Sequence, residues 1–139
     1  KAVNIHMGVS PYFKGTDSNF WALYYKNFQY VGATIHLLSP GIDDGKILYH
    51  ALVNHCSDPF IYSMLSVKSA IDSLTKKIKN NSLKNFEPII QDSKQTIKYS
   101  TKKDFHINIL KNLQIKKIPK FKHNKKNFIR PFFLKHEFE

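Results

Sequence analysis

Two strand-like apolar runs, the first of them alternating, flank the seven residues Ser39-Pro40-Gly41-Ile42-Asp43-Asp44-Gly45, and this pattern predicts an antiparallel strand pair joined by a loop. In the first run, Tyr30–Leu38, the side chains of Val31, Ala33, Ile35 and Leu37 point one way, and those of Gly32, Thr34, His36 and Leu38 the other. The second run is Lys46–Asn54. A third, shorter strand is read at Ala2–His6, entering a turn-rich stretch from Met7 to Asp17 that contains Gly8, Ser10-Pro11 and Gly15. Asp17 or Ser18 caps a short helix reaching about Lys26. The clearest helix opens at Asp58-Pro59, an N-cap followed by a proline suited to the first helical position. Its apolar stripe is Phe60, Ile61, Met64, Leu65, Ala70, Ile71, Leu74 and Ile78, and Lys76, Lys77 and Lys79 end it where the helix dipole favours cations. Weaker patterns predict a short helix over Ser82–Ile90, a small strand at Thr96–Tyr99 and a helix over Asp104–Leu113. These elements give an α/β protein of about three strands with flanking helices.

Charge and backbone freedom are divided between the two halves. Residues 1–66 hold four lysines and four aspartates, so the remaining residues carry the whole net charge of +12. All five glycines lie in the first 45 residues, where special backbone geometry, and hence a site, is most readily built. Of the 22 basic residues only Arg130 is arginine, a lysine bias that an AT-rich genome produces by codon usage. Cys56 is the only cysteine, which rules out an internal disulfide and fits a reducing, cytoplasmic setting. No run approaches the ~20 apolar residues of a membrane span, and no signal peptide is read. His50 and His55 are the only close histidine pair in a structured region. No Cys/His spacing matches a zinc site, so no metal is expected.

Residues two apart in a strand share a face, so Asn4 and His6 project together at the end of the first strand. An amide donor beside an imidazole suits the stabilisation of an oxyanion, and a carboxylate from the Gly41–Gly45 loop completes such a set. Spacing alone favours the structural reading: a strand-end histidine is more often structural than catalytic, and an aspartate between glycines is usually a turn residue.

The wider strings narrow the choice. Asn4-Ile5-His6-Met7-Gly8-Val9-Ser10-Pro11-Tyr12-Phe13-Lys14-Gly15 resembles the Asn-x-His-x-Ser-Leu-Leu-Pro-x-Tyr-Arg-Gly signature of the folate-dependent formyltransferases. That family includes methionyl-tRNA, glycinamide ribonucleotide and nucleotide-sugar N-formyltransferases. Val31-Gly32-Ala33-Thr34-Ile35-His36 is similar to its Val-Thr-Gly-x-Thr-(Ile/Val)-His strand, and Gly41-Ile42-Asp43-Asp44-Gly45-Lys46-Ile47-Leu48 to its Gly-x-Asp-x-Gly-Pro-Ile-Ile loop. Gly8, Ser10, Lys14 and Lys46 depart from the pattern and leave the reactive trio untouched. The likeness fades through Pro59–Lys79 and Gln91–Phe105 and ends near Phe105.

The resemblance implies the C-terminal part of a Rossmann-like formyltransferase domain over residues 1–105, with residues 106–139 as a basic helical or irregular extension. It implies N10-formyltetrahydrofolate as formyl donor and a small-molecule primary amine as acceptor. The Ser10–Phe13 loop and the Asn19-Phe20-Trp21 run are most like those of members that act on nucleotide-linked amino sugars. By the same resemblance Asn4 and a protonated His6 donate to the formyl oxygen, and Asp43 holds His6 cationic and takes the amine proton. Asp43 is chosen over Asp44 because Gly45 sets the Asp-x-Gly register. Ser39, Pro40, Gly41 and Ile42 line the pterin pocket, and Ser10, Tyr12 and Phe13 contact the acceptor. The family's domain is longer on its N-terminal side. The chain is therefore expected to be a fragment or one half of a split protein that pairs with an N-terminal half and is inactive without it.

Residues 114–133 interleave lysines with aromatics. They are read as a lysine-rich solvated tail, with a nucleic-acid-binding surface as the rival, in which case tRNA becomes the acceptor or the chain is a basic binding module on a degenerate α/β scaffold.

Overall fold

Apolar alternation makes the strands, and the turn residues decide which of them meet. The computed structural model describes residues 2–138. In chain order its elements are β1 (Val3–His6), β2 (Phe13–Gly15), α1 (Ser18–Tyr24), β3 (Gly32–Leu37), β4 (Ile47–Val53), α2 (Pro59–Lys79), β5 (Lys98–Ser100), α3 (Ile107–Asn112) and β6 (Phe132–Leu134). The main sheet has four strands in the order β1-β3-β4-β6. β3 pairs antiparallel with both β1 and β4, as the loop between the apolar runs requires, and β4 pairs parallel with β6. A second, two-stranded sheet joins β2 and β5 in parallel. The fold is mixed α/β, with one main-sheet strand more than the three read from the sequence.

All seven residues of β4 are buried, because both faces of the sheet are covered. On one face lies α2. Its N-terminus is capped by the Asp58 carboxylate, which accepts from the Ile61 amide at 2.8 Å. The side of α2 that meets the sheet is not the apolar stripe in full. It is Tyr62, Leu65, Ser66, Ser69, Ala70 and Ser73, of which the three serines and Ala70 are small enough to let helix and strand approach closely. The hydroxyls are satisfied there: Ser66 donates to Tyr62 O, Ser69 to Leu52 O, and Ser73 and Tyr49 share a bond of 2.9 Å. Phe60, Met64, Val67, Ile71 and Ile78 consequently face outward, Phe60 at 72% exposure.

The other face is covered by the Gly8–Phe13 loop and by the C-terminal segment. Ile118 is fully buried, and Phe128 and Leu134 are nearly so, in the same cluster as Val9, Phe13, Leu52 and Tyr62. Phe121, Phe132 and Phe133 pack against that cluster. The expected solvated tail is thus part of the core, because its aromatics sit where the upper face of β4 would otherwise be bare. Between Ser82 and Ile90 only one helical turn forms, Leu83–Asn85, after which Ile89 exchanges two backbone bonds with Ile47. Residues of the predicted Asp104–Leu113 helix form α3 only from Ile107 to Asn112.

His50 ties the layers together. Its Nε2 donates to Ser10 O at 2.8 Å and its Nδ1 accepts from the Ile129 amide at 2.9 Å, so the neutral ring is the one that fits. Burial pushes its pKa down to about 4, and His123, half-buried beside Phe128 and Phe133, is also pushed to about 4. Both folded values lie below the ordinary imidazole value of 6.5. The unfolded chain therefore binds more protons between these pH values, and this stability is complete above about 6.5 and lost as pH falls toward about 4. Urea denaturation should show about 2 kcal/mol lost from His50 alone by about pH 5, and His50→Gln should flatten that dependence.

Candidate active site

The end of β1 and the loop before β4 build one polar cluster. Register places Asn4 opposite His36 and His6 opposite Thr34. Thr34 holds the chain leaving β1: its hydroxyl donates to Gly8 O at 2.7 Å and accepts from the Ser10 amide at 2.8 Å. His6 is buried there. Its Nδ1 lies 3.2 Å from Asp43 Oδ2, and its Nε2 donates to Phe13 O at 2.9 Å. Each ring nitrogen faces an acceptor. Burial nevertheless holds the His6 pKa below the ordinary value, against the upward pull of Asp43 and of the Phe13 carbonyl.

Asp43 reaches this point from a left-handed backbone, with φ of 53°. Its Oδ2 also accepts from the Gly15 amide at 3.0 Å. Gly45 is dictated by close approach, since a Cβ there would lie 1.8 Å from Leu37 O. Asp44 turns the other way, and its carboxylate accepts from the Ser39 hydroxyl. The choice of Asp43 from the Asp-x-Gly register therefore coincides with the carboxylate that meets His6.

His36 was not among the candidates and belongs to the cluster. Its Nδ1 lies 2.8 Å from Leu37 O, which makes that nitrogen the donor and leaves Nε2 to accept from the Asn4 amide at 3.3 Å. The same Nε2 is 4.0 Å from Asp43 Oδ1. One N–H of the Asn4 amide is thereby engaged and the other remains for a ligand oxygen. Pairing β1 with β3 on paper would have found His36, because Asn4 and His36 face each other. The Gly15 amide and Gln91, which bonds the Asp43 loop, were not among the candidates, although Gly15 ends the first family string and Gln91 opens the fainter Gln91–Phe105 stretch.

His6 and Asp43 open on a cavity of about 330 Å³ that Met7, Ile42, Tyr99 and Lys102 also line. Asn4 is not in its wall; its amide lies against His36. Of the loop residues expected at a pterin, Ile42 is at the cavity, while Ser39, Pro40 and Gly41 form the turn beside it. Ser10, Tyr12 and Phe13 do not reach the cavity. Ser10 and Phe13 are fully buried, and Tyr12 stacks on Tyr30 at 4.2 Å with its hydroxyl on Asn127 O. The resemblance set these residues at the acceptor, whereas Thr34, His50 and Asn127 hold their stretch inward. Phe13 serves the site through its carbonyl. No cluster of three metal-ligating side chains occurs among the described residues, and no helix among them is long and apolar enough to cross a membrane.

Gly8, where the family string usually has serine, is required by the packing of His6. A Cβ at Gly8 would stand 2.4 Å from Ser18 Cβ and 2.6 Å from His6 Nε2. Gly8→Ala should cost about 1–3 kcal/mol in urea denaturation and shift the ring resonances of His6, whereas overlap with Ser18 alone would leave those resonances in place.

No family model matches the chain, and no curated protein matches it. Solved structures do. A sugar N-formyltransferase from Shewanella shares 26% identity over 74% of this chain and 41% of its own, with a TM-score of 0.60. A formyltransferase from Anoxybacillus kamchatkensis, solved with a UDP-linked formamido sugar and tetrahydrofolate, shares 23% identity over 74% and 53% of the two chains, TM-score 0.57. An N-formyltransferase from Helicobacter canadensis, solved with folinic acid and dTDP-3-aminofucose, shares 22% over 78% and 40%, TM-score 0.56. The chain shares its fold with a class of solved formyltransferases. Within it, the solved relatives named here are sugar N-formyltransferases or bind nucleotide-linked sugars, and this chain spans between 40% and 53% of their length.

Proposed function

We propose that this chain carries the reaction centre of an enzyme that moves a formyl group from N10-formyltetrahydrofolate to the amine of a nucleotide-linked amino sugar. The observation that carries the reading is the joined pair of contacts His6–Asp43 and Asn4–His36 on one strand end beside one cavity. The donor supplies an electrophilic formyl carbon. The sugar amine attacks it, a C–N bond forms, the bond from carbon to N10 breaks, and N10 leaves with a proton. Charge gathers on the formyl oxygen as the new bond forms. The free N–H of Asn4 and the Nε2 proton of His6, now on the Phe13 carbonyl, are the donors for that oxygen. Asp43 favours the cationic ring and accepts the amine proton, directly or through a water. Ile42 offers an exposed apolar wall for the pterin ring beside the turn of Ser39, Pro40 and Gly41.

Lys102 at the cavity rim gives a cation for the acceptor's phosphates. A tRNA acceptor is less well supported, because the aromatics of residues 114–133 are packed inward and offer no stacking platform for bases. The buried free thiol of Cys56 is consistent with a cytoplasmic protein.

Pairing with a further half of such a domain is part of this reading. β1 is the last strand of the sheet among the described residues. Met7, just after β1, lines one cavity with Phe60, Met64 and Val67, and Val3 lines another with Ile78. The free strand edge and the outward apolar residues of α2 are surfaces that a strand and a helix of such a half would cover.

The test is to incubate the natural gene product carrying this chain with N10-formyltetrahydrofolate and a panel of UDP- and dTDP-linked amino sugars, with methionyl-tRNA in parallel. Mass spectrometry should find the formamide on a sugar nucleotide. Formylation of the tRNA alone would replace the acceptor, and no formyl transfer to any amine would end the reading.

A further inference from the structure

Gln91 opens the Gln91–Phe105 stretch, where the family likeness is faint and implies no role for it, and its surroundings are unusual. The segment that carries it is fixed by the two backbone bonds between Ile47 and Ile89, each under 3.0 Å, which run it antiparallel to the start of β4. Continuing that register by two residues sets Gln91 opposite Gly45. Its Nε2 then donates to two carbonyls of the reactive loop, Asp43 O at 2.7 Å and Gly45 O at 2.8 Å. Both partners are acceptors only, so the amide orientation is unambiguous. Its Oε1 is buried and has no partner. The side chain is therefore held by its donor end alone, and the contact it makes is to the residue whose carboxylate serves His6.

We infer that Gln91 is a positioning residue for formyl transfer: it clamps the Asp43 and Gly45 carbonyls and so keeps Asp43 in the left-handed conformation that aims its carboxylate at His6 and at the Gly15 amide. This rests on the proposed reaction centre. Asp43 is a non-glycine residue at φ 53°, a conformation that relaxes unless neighbours hold it. Two bonds from one amide to carbonyls two residues apart span that turn. Without them the loop keeps Gly45, whose close approach to Leu37 O is set by the backbone, but loses the restraint on Asp43.

The experiment uses the chain itself and needs no turnover. Gln91→Met keeps length and volume and removes both donors. Two signals report on Asp43: the Gly15 amide proton, shifted downfield by its bond to the carboxylate, and the pH titration of the His6 ring. The charged or titratable groups that act on His6 are Asp43, His36 and Lys14, of which Asp43 alone raises its proton affinity. Asp43→Asn should move the Gly15 amide upfield and lower the His6 titration midpoint. Gln91→Met should move both signals in the same direction, while the His50 ring resonances, which report on the opposite layer, stay in place. Should Gln91→Met not fold, Gln91→Asn carries the same comparison, its amide one methylene short of the loop. Shifts in Asp43→Asn with none in the Gln91 variant would overturn the role of Gln91 and leave the reaction centre standing. No response in Asp43→Asn would overturn the reaction centre itself, and the clamp with it.

Discussion

Asn4→Ala lowers the turnover of formyl transfer by about 100- to 1000-fold, with KM for the formyl donor changed far less. The asymmetry is the point of the prediction. An amide that binds the ground-state formyl group and the developing oxyanion equally would change KM. An amide aimed at charge that appears only as the amine attacks changes kcat. The geometry favours the second case. His36 takes one N–H of the Asn4 amide and thereby orients the other, so no reorganisation is needed when charge develops. Asn4→Asp tests the same idea from the other side, since it keeps size and turns a donor into an acceptor. The loss should be as large or larger, in steady-state kinetics of the natural gene product at saturating acceptor. A change of less than about tenfold in kcat would remove Asn4 from the reaction.

Ile118→Ala costs about 2–5 kcal/mol of unfolding free energy, read from urea denaturation at constant m. A solvated lysine-rich tail would give a change within about 0.5 kcal/mol. Ile118 has no exposed surface, and its amide donates to Ser57 O at 2.7 Å, next to the helix cap at Asp58. Truncating its side chain opens a cavity beside Tyr62 and Phe128 that neither can leave their own bonds and stacking to fill. The same substitution separates the two readings of the basic segment. If residues 114–133 were a mobile nucleic-acid grip, salt-sensitive RNA binding would survive the substitution and stability would not change.

What the sequence made legible was whatever depends on local pattern. Alternation in Tyr30–Leu38 and the apolar run of Lys46–Asn54 predicted β3 and β4 within a residue or two, and Asp58-Pro59 marked the start of α2. Asn4, His6 and Asp43 were proposed from the three family strings, and the structure sets His6 and Asp43 3.2 Å apart; spacing alone favours a packing role for His6. The failures all have one cause, which is that burial is decided by distant partners. Ser10-Pro11-Tyr12 reads as part of a turn-rich stretch at the acceptor, yet Thr34 and His50 draw it into the core. The apolar stripe of α2 reads as its buried side, yet serines meet the sheet and Phe60 and Ile71 do not. Lysines around Ile118 and Phe128 read as solvent-facing sequence, and only the bare face of β4 explains why the apolar residues between them are needed. Gln91, between Ile90 and Asp92, stands where the family likeness is faint, and its contact with the Asp43 loop depends on a register set by Ile47 and Ile89.

The central claim is spatial: the reacting formyl oxygen lies at the end of β1, between the donors of Asn4 and His6 and within reach of Asp43. A crystal structure of the natural gene product with 5-formyltetrahydrofolate, a stable analogue of the donor, measures this directly. The account places the formyl oxygen about 2.7–3.1 Å from Asn4 Nδ2, with the pterin against Ile42. Clear density for the analogue elsewhere on the protein, with the pocket beside His6 and Asp43 filled only by solvent, would contradict it.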